Sequence, residues 1–169
     1  MSIDTLLEPI REHVASLGFE LVDFRQVGTP SRPILQLRID RPDSGPGRGV
    51  TTADCVVVSR SLEHLLEARG AVGPRYVLEV SSPGLERPVR WPEHWRRFVG
   101  RRVRIRLPGQ RRGRAREAEI LAVPDDEHVS VRWADGQIAT LALADIVEAW
   151  LVVDWENYGK PSEGAQGRP

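Results

Sequence analysis

EVSSPGLERPVR, residues 79–90, is where the chain changes texture. Tyr76–Val80 before it is patterned as a strand, and the strand stops at Ser81 and Ser82. Ser82-Pro83-Gly84-Leu85 then suits a type II turn, because proline presets φ at the second position and glycine supplies the positive φ of the third. Leu85 is expected to drop back onto a core, and Pro88 forces Arg87 to be extended. Two readings of the stretch stay open. It is a rigid exit from a sheet into a linker, or a turn that holds Ser81, Ser82 and Arg87 outward as a docking edge, with Pro83 and Gly84 setting its shape.

Upstream, Ile3, Leu6, Leu7, Ile10, Val14 and Leu17 recur at helical spacing, and Gly18 is a natural stop. Phe19–Val27 reads as a strand, GTPSRP as a turn cluster, and Ile34–Asp40 as a second strand in which Leu35, Leu37 and Ile39 alternate with polar residues. RPDSGPGRG, residues 41–49, is too rich in Pro and Gly for either state and is expected to be a mobile loop. Thr51 or Thr52 caps a second helix, with Asp54 placed for a capping box. That helix is expected to bury Cys55, Val58, Leu62, Leu65 and Leu66 and to end near Gly70. Gly70–Gly73 matches a nucleic-acid-clamping GXXG spacing, but Pro74 and a strand follow it, so an ordinary helix stop is the reading. The order α-β-β-α-β predicts a two-layer α+β unit over residues 1–90.

Downstream, Trp91–Trp95 suggests one helical turn, after which short strands dominate. Val103, Ile105 and Leu107 alternate with arginines; Ala118, Ile120 and Ala122 form a second alternation, and Val129, Val131 and Trp133 a third. Asp135-Gly136 predicts a two-residue hairpin turn, Ile138–Leu141 a fourth strand, Leu143–Ile146 a helical turn, and Val147–Val153 the last strand. Five short strands fit a small SH3-like or Sm-like barrel over residues 91–157. Residues 158–169 carry almost no apolar side chains and are expected to be a disordered tail.

The 169 residues, 40% hydrophobic, can bury the cores of two small domains. A single cysteine, Cys55, excludes an internal disulfide framework and a cysteine-based zinc site. No run is long and apolar enough for a membrane span, and MSIDTLLEPIREH lacks the basic-then-apolar layout of a secretory leader. A cytoplasmic protein is expected. Catalysis is not: G-x-S-x-G, Walker A and G-x-G-x-x-G motifs are missing, and His13, His64, His94 and His128 form no ligand-spaced pair. No catalytic residue, cofactor or metal site is assigned.

The net charge of zero hides an uneven distribution. Residues 96–116 hold ten arginines and no acid, whereas from Glu117 onward eleven acids face three bases. Strand alternation puts Arg102, Arg104 and Arg106 on one face, and the following loop adds Arg111, Arg112, Arg114 and Arg116. With no acid nearby in sequence to relieve their repulsion, these seven are candidates for phosphate contact, since guanidinium forks grip phosphate and stack on bases. Trp133 and Trp150 could stack too, although packing in a barrel core is the favoured reading. Asp125, Asp126 and Glu127 would repel RNA and are candidates for contact with a basic protein.

The run Tyr76–Pro88 resembles the signature of the bacterial RimP family (YhbC-like proteins), ribosome maturation factors of the small subunit. LGFELVDF (17–24), DCVVVSRSLEHLL (54–66), HWRRFVGRRVRI (94–105) and LADIVEAWLVV (143–153) resemble further segments of that family in order, so the likeness spans Ile3–Trp155. The resemblance implies a non-enzymatic two-domain adaptor, an α+β domain joined to an Sm-like barrel, that binds the immature small (30S) subunit and assists its assembly. Its implied partners are ribosomal RNA and a ribosomal protein near the decoding centre, with no membrane and no small-molecule substrate. Three positions depart from the family pattern: Arg116-Glu117-Ala118 replaces aromatic-x-Gly, Glu148 stands where a base is common, and Val153 where proline is usual. The rival reading is a protein–protein adaptor whose barrel binds a peptide or protein partner without touching RNA.

Overall fold

The computed structural model describes residues 3–44, 49–70 and 75–153. The expected tail, residues 45–48 of the Pro/Gly-rich loop and residues 71–74 of the GXXG spacing lie outside them. The first half runs α1 (Ile3–Ser16), β1 (Glu20–Thr29), β2 (Arg32–Asp40), α2 (Thr52–Arg69) and β3 (Val77–Ser81). β1 and β2 are antiparallel, and β3 lies parallel to β2 because α2 carries the chain back across the sheet. Leu6, Ile10 and Val14 of α1 and Val58, Leu62 and Leu66 of α2 close on Leu35, Leu37 and Ile39 of β2. Cys55 and Leu65, expected inside, are only partly buried against this core.

Thr51 caps α2 with a complete capping box. Its hydroxyl accepts from the Asp54 amide at 3.1 Å, and the Asp54 carboxylate accepts from the Thr51 amide at 2.9 Å. Such a cap stabilises a helix by about 1 kcal/mol. Gly70 ends α2 in the left-handed conformation, φ 59°.

At the β1–β2 turn, Gly28 has φ 86°, and a Cβ there would lie 2.5 Å from the Arg32 carbonyl oxygen. That oxygen belongs to backbone and cannot step aside. Gly28→Ala is therefore expected to cost about 2 kcal/mol. Urea denaturation checks this, and a change below about 0.5 kcal/mol would remove the steric account.

The second half comprises α3 (Pro92–Arg97), β4 (Arg102–Arg106), β5 (Arg116–Ala122), β6 (His128–Trp133), β7 (Ile138–Ala142) and β8 (Glu148–Leu151). Short 3-10 turns sit at Arg112–Arg114 and Leu143–Asp145. The five strands form one antiparallel sheet in the order β7-β6-β5-β4-β8. Val103, Ile105, Ile120, Val129, Val131 and Trp95 fill its core. The β6–β7 connection corrects the expected two-residue turn. Trp133 N–H donates to Gln137 at 2.8 Å and Gly136 N–H donates to Trp133 at 2.9 Å, enclosing three residues. Gly136 alone has positive φ, 89°. A two-residue I′ turn needs positive φ at Asp135 as well, and the chain instead uses a turn plus glycine bulge.

Between the sheets the chain is not a loose tether. Leu151 N–H donates to the Arg87 carbonyl at 2.9 Å and Val89 N–H donates to Ala149 at 3.0 Å. Arg87–Val89 thus lies along β8 with Pro88 opposite Trp150. Pro88, which has no N–H, occupies the position that needs none. Val89 packs into the second core and Trp91 into the first, so the two halves share this segment.

Candidate nucleic-acid interface

The turn at 82–85 is exposed at Ser81, Ser82 and Gly84, with Pro83 half-buried. Gly84 has φ 73°, the sign that the third position of the expected type II turn needs. Leu85 does not drop back onto a core; it is 49% exposed. Arg87 does not point outward either, being only 8% exposed.

The reason for the Arg87 placement lies on the hairpin β1–β2. Glu20 and Asp40 stand directly opposite each other in its register. Two carboxylates so paired repel. Arg87 resolves this by donating to Glu20 at 2.5 Å and to Asp40 at 2.7 Å. Arg97 of α3 adds two further hydrogen bonds to Glu20, at 2.7 and 2.9 Å. Burial on its own would raise the Glu20 pKa; the His94 ring 3.6 Å away and the hydrogen bonds from Arg97 and Arg87 outweigh it and hold the carboxyl far below the ordinary range. The pairs join the first sheet to the second half of the chain.

A second junction centres on Glu148, whose oxygens accept from Arg25 at 2.9 Å, Arg106 at 3.3 Å and Arg112 at 3.4 Å. Burial opposes ionisation there, and the hydrogen bond and charge of Arg25 with the charges of Arg112 and Arg106 lower the pKa regardless. Arg25 reaches across because β1 has a bulge between Leu21 and Asp23. The extra residue lets Leu21 and Phe24 share the core face, and it turns Asp23 and Arg25 toward the second half. Arg90 reaches back from the linker to Asp23 and to the Phe24 carbonyl. Trp91 lies between the guanidinium groups of Arg11 and Arg90, 4.5 and 5.2 Å from its ring.

The arginine run does stand on the outer face of β4, but it is not free of acids as its local sequence suggests. Sheet register sets Arg102 and Arg104 beside Glu119 and Glu117 of β5, and Arg106 beside Glu148 of β8. Arg102 pairs with Glu117 at 2.9 Å, and Arg116 approaches Asp135 at 4.0 Å. Arg112 is shared between Glu148 and Glu86. Among the described residues, Arg104, Arg111 and Arg114 meet no carboxylate within 4 Å, and all three are exposed. Of the seven candidates, these three are the cations available to an outside anion. Trp133 and Trp150 are each 6% exposed, the first under Arg116 and the second under Arg112. Neither offers an open ring face.

Asp125, Asp126 and Glu127 form the exposed β5–β6 loop. Asp125 accepts from the Glu127 amide at 2.8 Å and contacts the His128 ring at 2.9 Å. Its pKa is lowered by that histidine first and by the Glu127 amide second. Asp126 pairs with Arg96 at 2.6 Å. Asp125 thus shapes the loop, while the exposed Glu127 is left to face outward. Among the described residues no group of three or more His, Cys, Asp or Glu is arranged to hold a metal ion, and no helix is long and apolar enough to cross a membrane.

Sequence reasoning missed Glu20, Asp40, Arg25 and Glu148. Only the last carried a signal, as an acid where a base was expected. Residues 9–86 match the family model described as the RimP N-terminal domain.

Proposed function

The chain belongs to the RimP family, and we propose that it is a non-enzymatic, cytoplasmic ribosome maturation factor that binds the immature small (30S) subunit through RNA phosphates. Its division would fall at residues 1–90 and 91–157, the second part being an Sm-like barrel. The sheet order, with β8 returning beside β4, supports that reading. The family match makes the partner ribosomal. The observation that carries an RNA contact is the exposed group Arg104, Arg111 and Arg114 without carboxylate partners among the described residues. Arg102, Arg106, Arg112 and Arg116 surround it as cations already engaged by acids, which a phosphate would have to displace.

Each phosphate neutralised contributes about 0.7–0.9 to the slope of log K against log salt. Replacing Arg104, Arg111 and Arg114 together by glutamine is expected to flatten that slope by about 2. Co-sedimentation with isolated small subunits across a salt series measures it. An unchanged slope in the triple variant would sink the assignment.

The loop Asp125–Glu127 is proposed to face a basic ribosomal protein near the decoding centre. Charge reversal there should weaken binding to that protein while leaving the salt slope for RNA alone intact. A peptide-binding adaptor is the second reading, favoured by Ile138, 64% exposed on β7 at one end of the sheet order. Retention of small-subunit RNA by the wild type but not by the triple variant counts against it.

A further inference from the structure

The turn at 82–84 is one wall of a cleft of about 400 Å³ at the junction of the two halves. Asp40, Ser44, Arg87, Arg97, Phe98 and Arg101 are among the other residues that line it. Three guanidinium groups gather around the Phe98 ring. The Cζ atoms of Arg87, Arg97 and Arg101 lie 5.2, 5.9 and 5.9 Å from its centroid. Their charges do not balance. Glu20 takes Arg97 and one arm of Arg87, and Asp40 takes the other arm. Arg101 meets no carboxylate among the described residues, which leaves three cations against two anions.

Donors are also left over. Arg87 is 8% exposed, and its Nε is buried without a hydrogen-bond partner. Ser44 Oγ accepts from Arg87 at 3.2 Å, so its own proton is available, and the exposed Ser82 lines the same cleft. Both oxygens of Asp40 are engaged, one by Arg87 and one by the Arg41 amide at 2.9 Å. Gly84 has open space where a Cβ would stand, so its backbone is accessible at the rim.

We propose that this cleft is an anion site for a single phosphate group, supplied in the assembled particle by an RNA phosphodiester. One missing negative charge matches a diester, which carries one, better than a monoester, which carries nearly two. Two serine hydroxyls and arginine donors lining one cleft suit a tetrahedral anion, whereas a planar carboxylate would be satisfied by one guanidinium fork. The assignment to RNA rests on the ribosomal reading above; the phosphate site does not. It also gives Ser82 and Gly84 a binding role distinct from the clamp that Arg87 makes with Glu20 and Asp40.

The test is an amide chemical-shift titration of the labelled full chain, first with inorganic phosphate and then with an unstructured single-stranded RNA hexamer. Saturable shifts at Ser82, Gly84 and Arg101 are expected with both. Arg101→Gln should weaken phosphate binding about tenfold. It should leave thermal stability nearly unchanged, because Arg101 is exposed and meets no carboxylate among the described residues. Arg101→Lys should restore part of the loss. No saturable shift at these amides, or equal binding by Arg101→Gln, overturns the site. Shifts with phosphate but none with the hexamer keep the site and overturn its RNA occupant. A chain that binds phosphate here yet fails to sediment with small subunits loses the ribosomal reading and keeps the site.

Discussion

Replacing Arg87 by methionine is expected to lower the unfolding free energy by about 3–5 kcal/mol, the cost of stranding a buried charge without its partner. Methionine has a similar reach and fills much of the volume, so lost packing is a minor part. What remains is Glu20 opposite Asp40, with Arg97 holding only the first. Asp40 would keep one hydrogen bond, from the Arg41 amide. Urea denaturation at pH 7 measures the change, with an unaltered m-value showing that the unfolded state is the same. Neutralising all three partners together, as Glu20→Gln, Asp40→Asn and Arg87→Met, should recover much of the loss, because no buried charge is then left alone. A cost below 1 kcal/mol for the single change would mean that the clamp contributes no more than an exposed pair.

Acid should find the same place. The folded-state pKa of Glu20 is held well below its ordinary value of 4.5. Above that ordinary value the carboxyl is ionised in both states, and its stabilising contribution is complete. As the pH falls below about 4.5, the unfolded chain takes up a proton that the folded chain refuses, and stability drops by about 1.4 kcal/mol per pH unit from this group. The loss continues until the pH passes through the folded pKa. Between pH 4 and pH 3 the stability of Glu20→Gln should therefore decline less steeply than that of the wild type by about this slope. Parallel curves for the two proteins would show that Glu20 titrates normally and that its hydrogen bonds are not maintained. Glu148 shifts in the same direction, so a smaller difference of the same sign is expected for Glu148→Gln.

Local pattern carried most of the architecture. The helical stripe of α1, the capping box at Thr51, the stop at Gly70 and the alternation of β6 each depend on neighbours a few residues apart, and each stands where its pattern puts it; in β5 the alternation holds for Ala118 and Ile120, and a register shift then leaves Ala122 exposed. The family match over residues 9–86 agrees with the resemblance carried by Tyr76–Pro88. The arginine run was legible as a row of exposed cations on β4 and its loop. Which of its members are free was not. Their partners Glu117 and Glu148 arrive from other strands and Asp135 from the β6–β7 turn, and a local count of charges cannot see them.

Arg87 shows the limit most clearly. Its sequence context, between an exposed glutamate and a proline, fits an outward side chain as well as an inward one. The deciding fact is a bulge more than sixty residues away. Without the extra residue at Val22, the register running from Thr29 opposite Arg32 would set Glu20 against Arg41, a pair needing no further cation. With it, Glu20 meets Asp40, and the repulsion of a partly buried and a buried carboxylate draws Arg87 in. Short-range stereochemistry in the sequence determined the elements and their order. Only the tertiary structure, through a one-residue shift in strand register, decided which charges oppose one another and so which arginines bind inward and which remain for a partner.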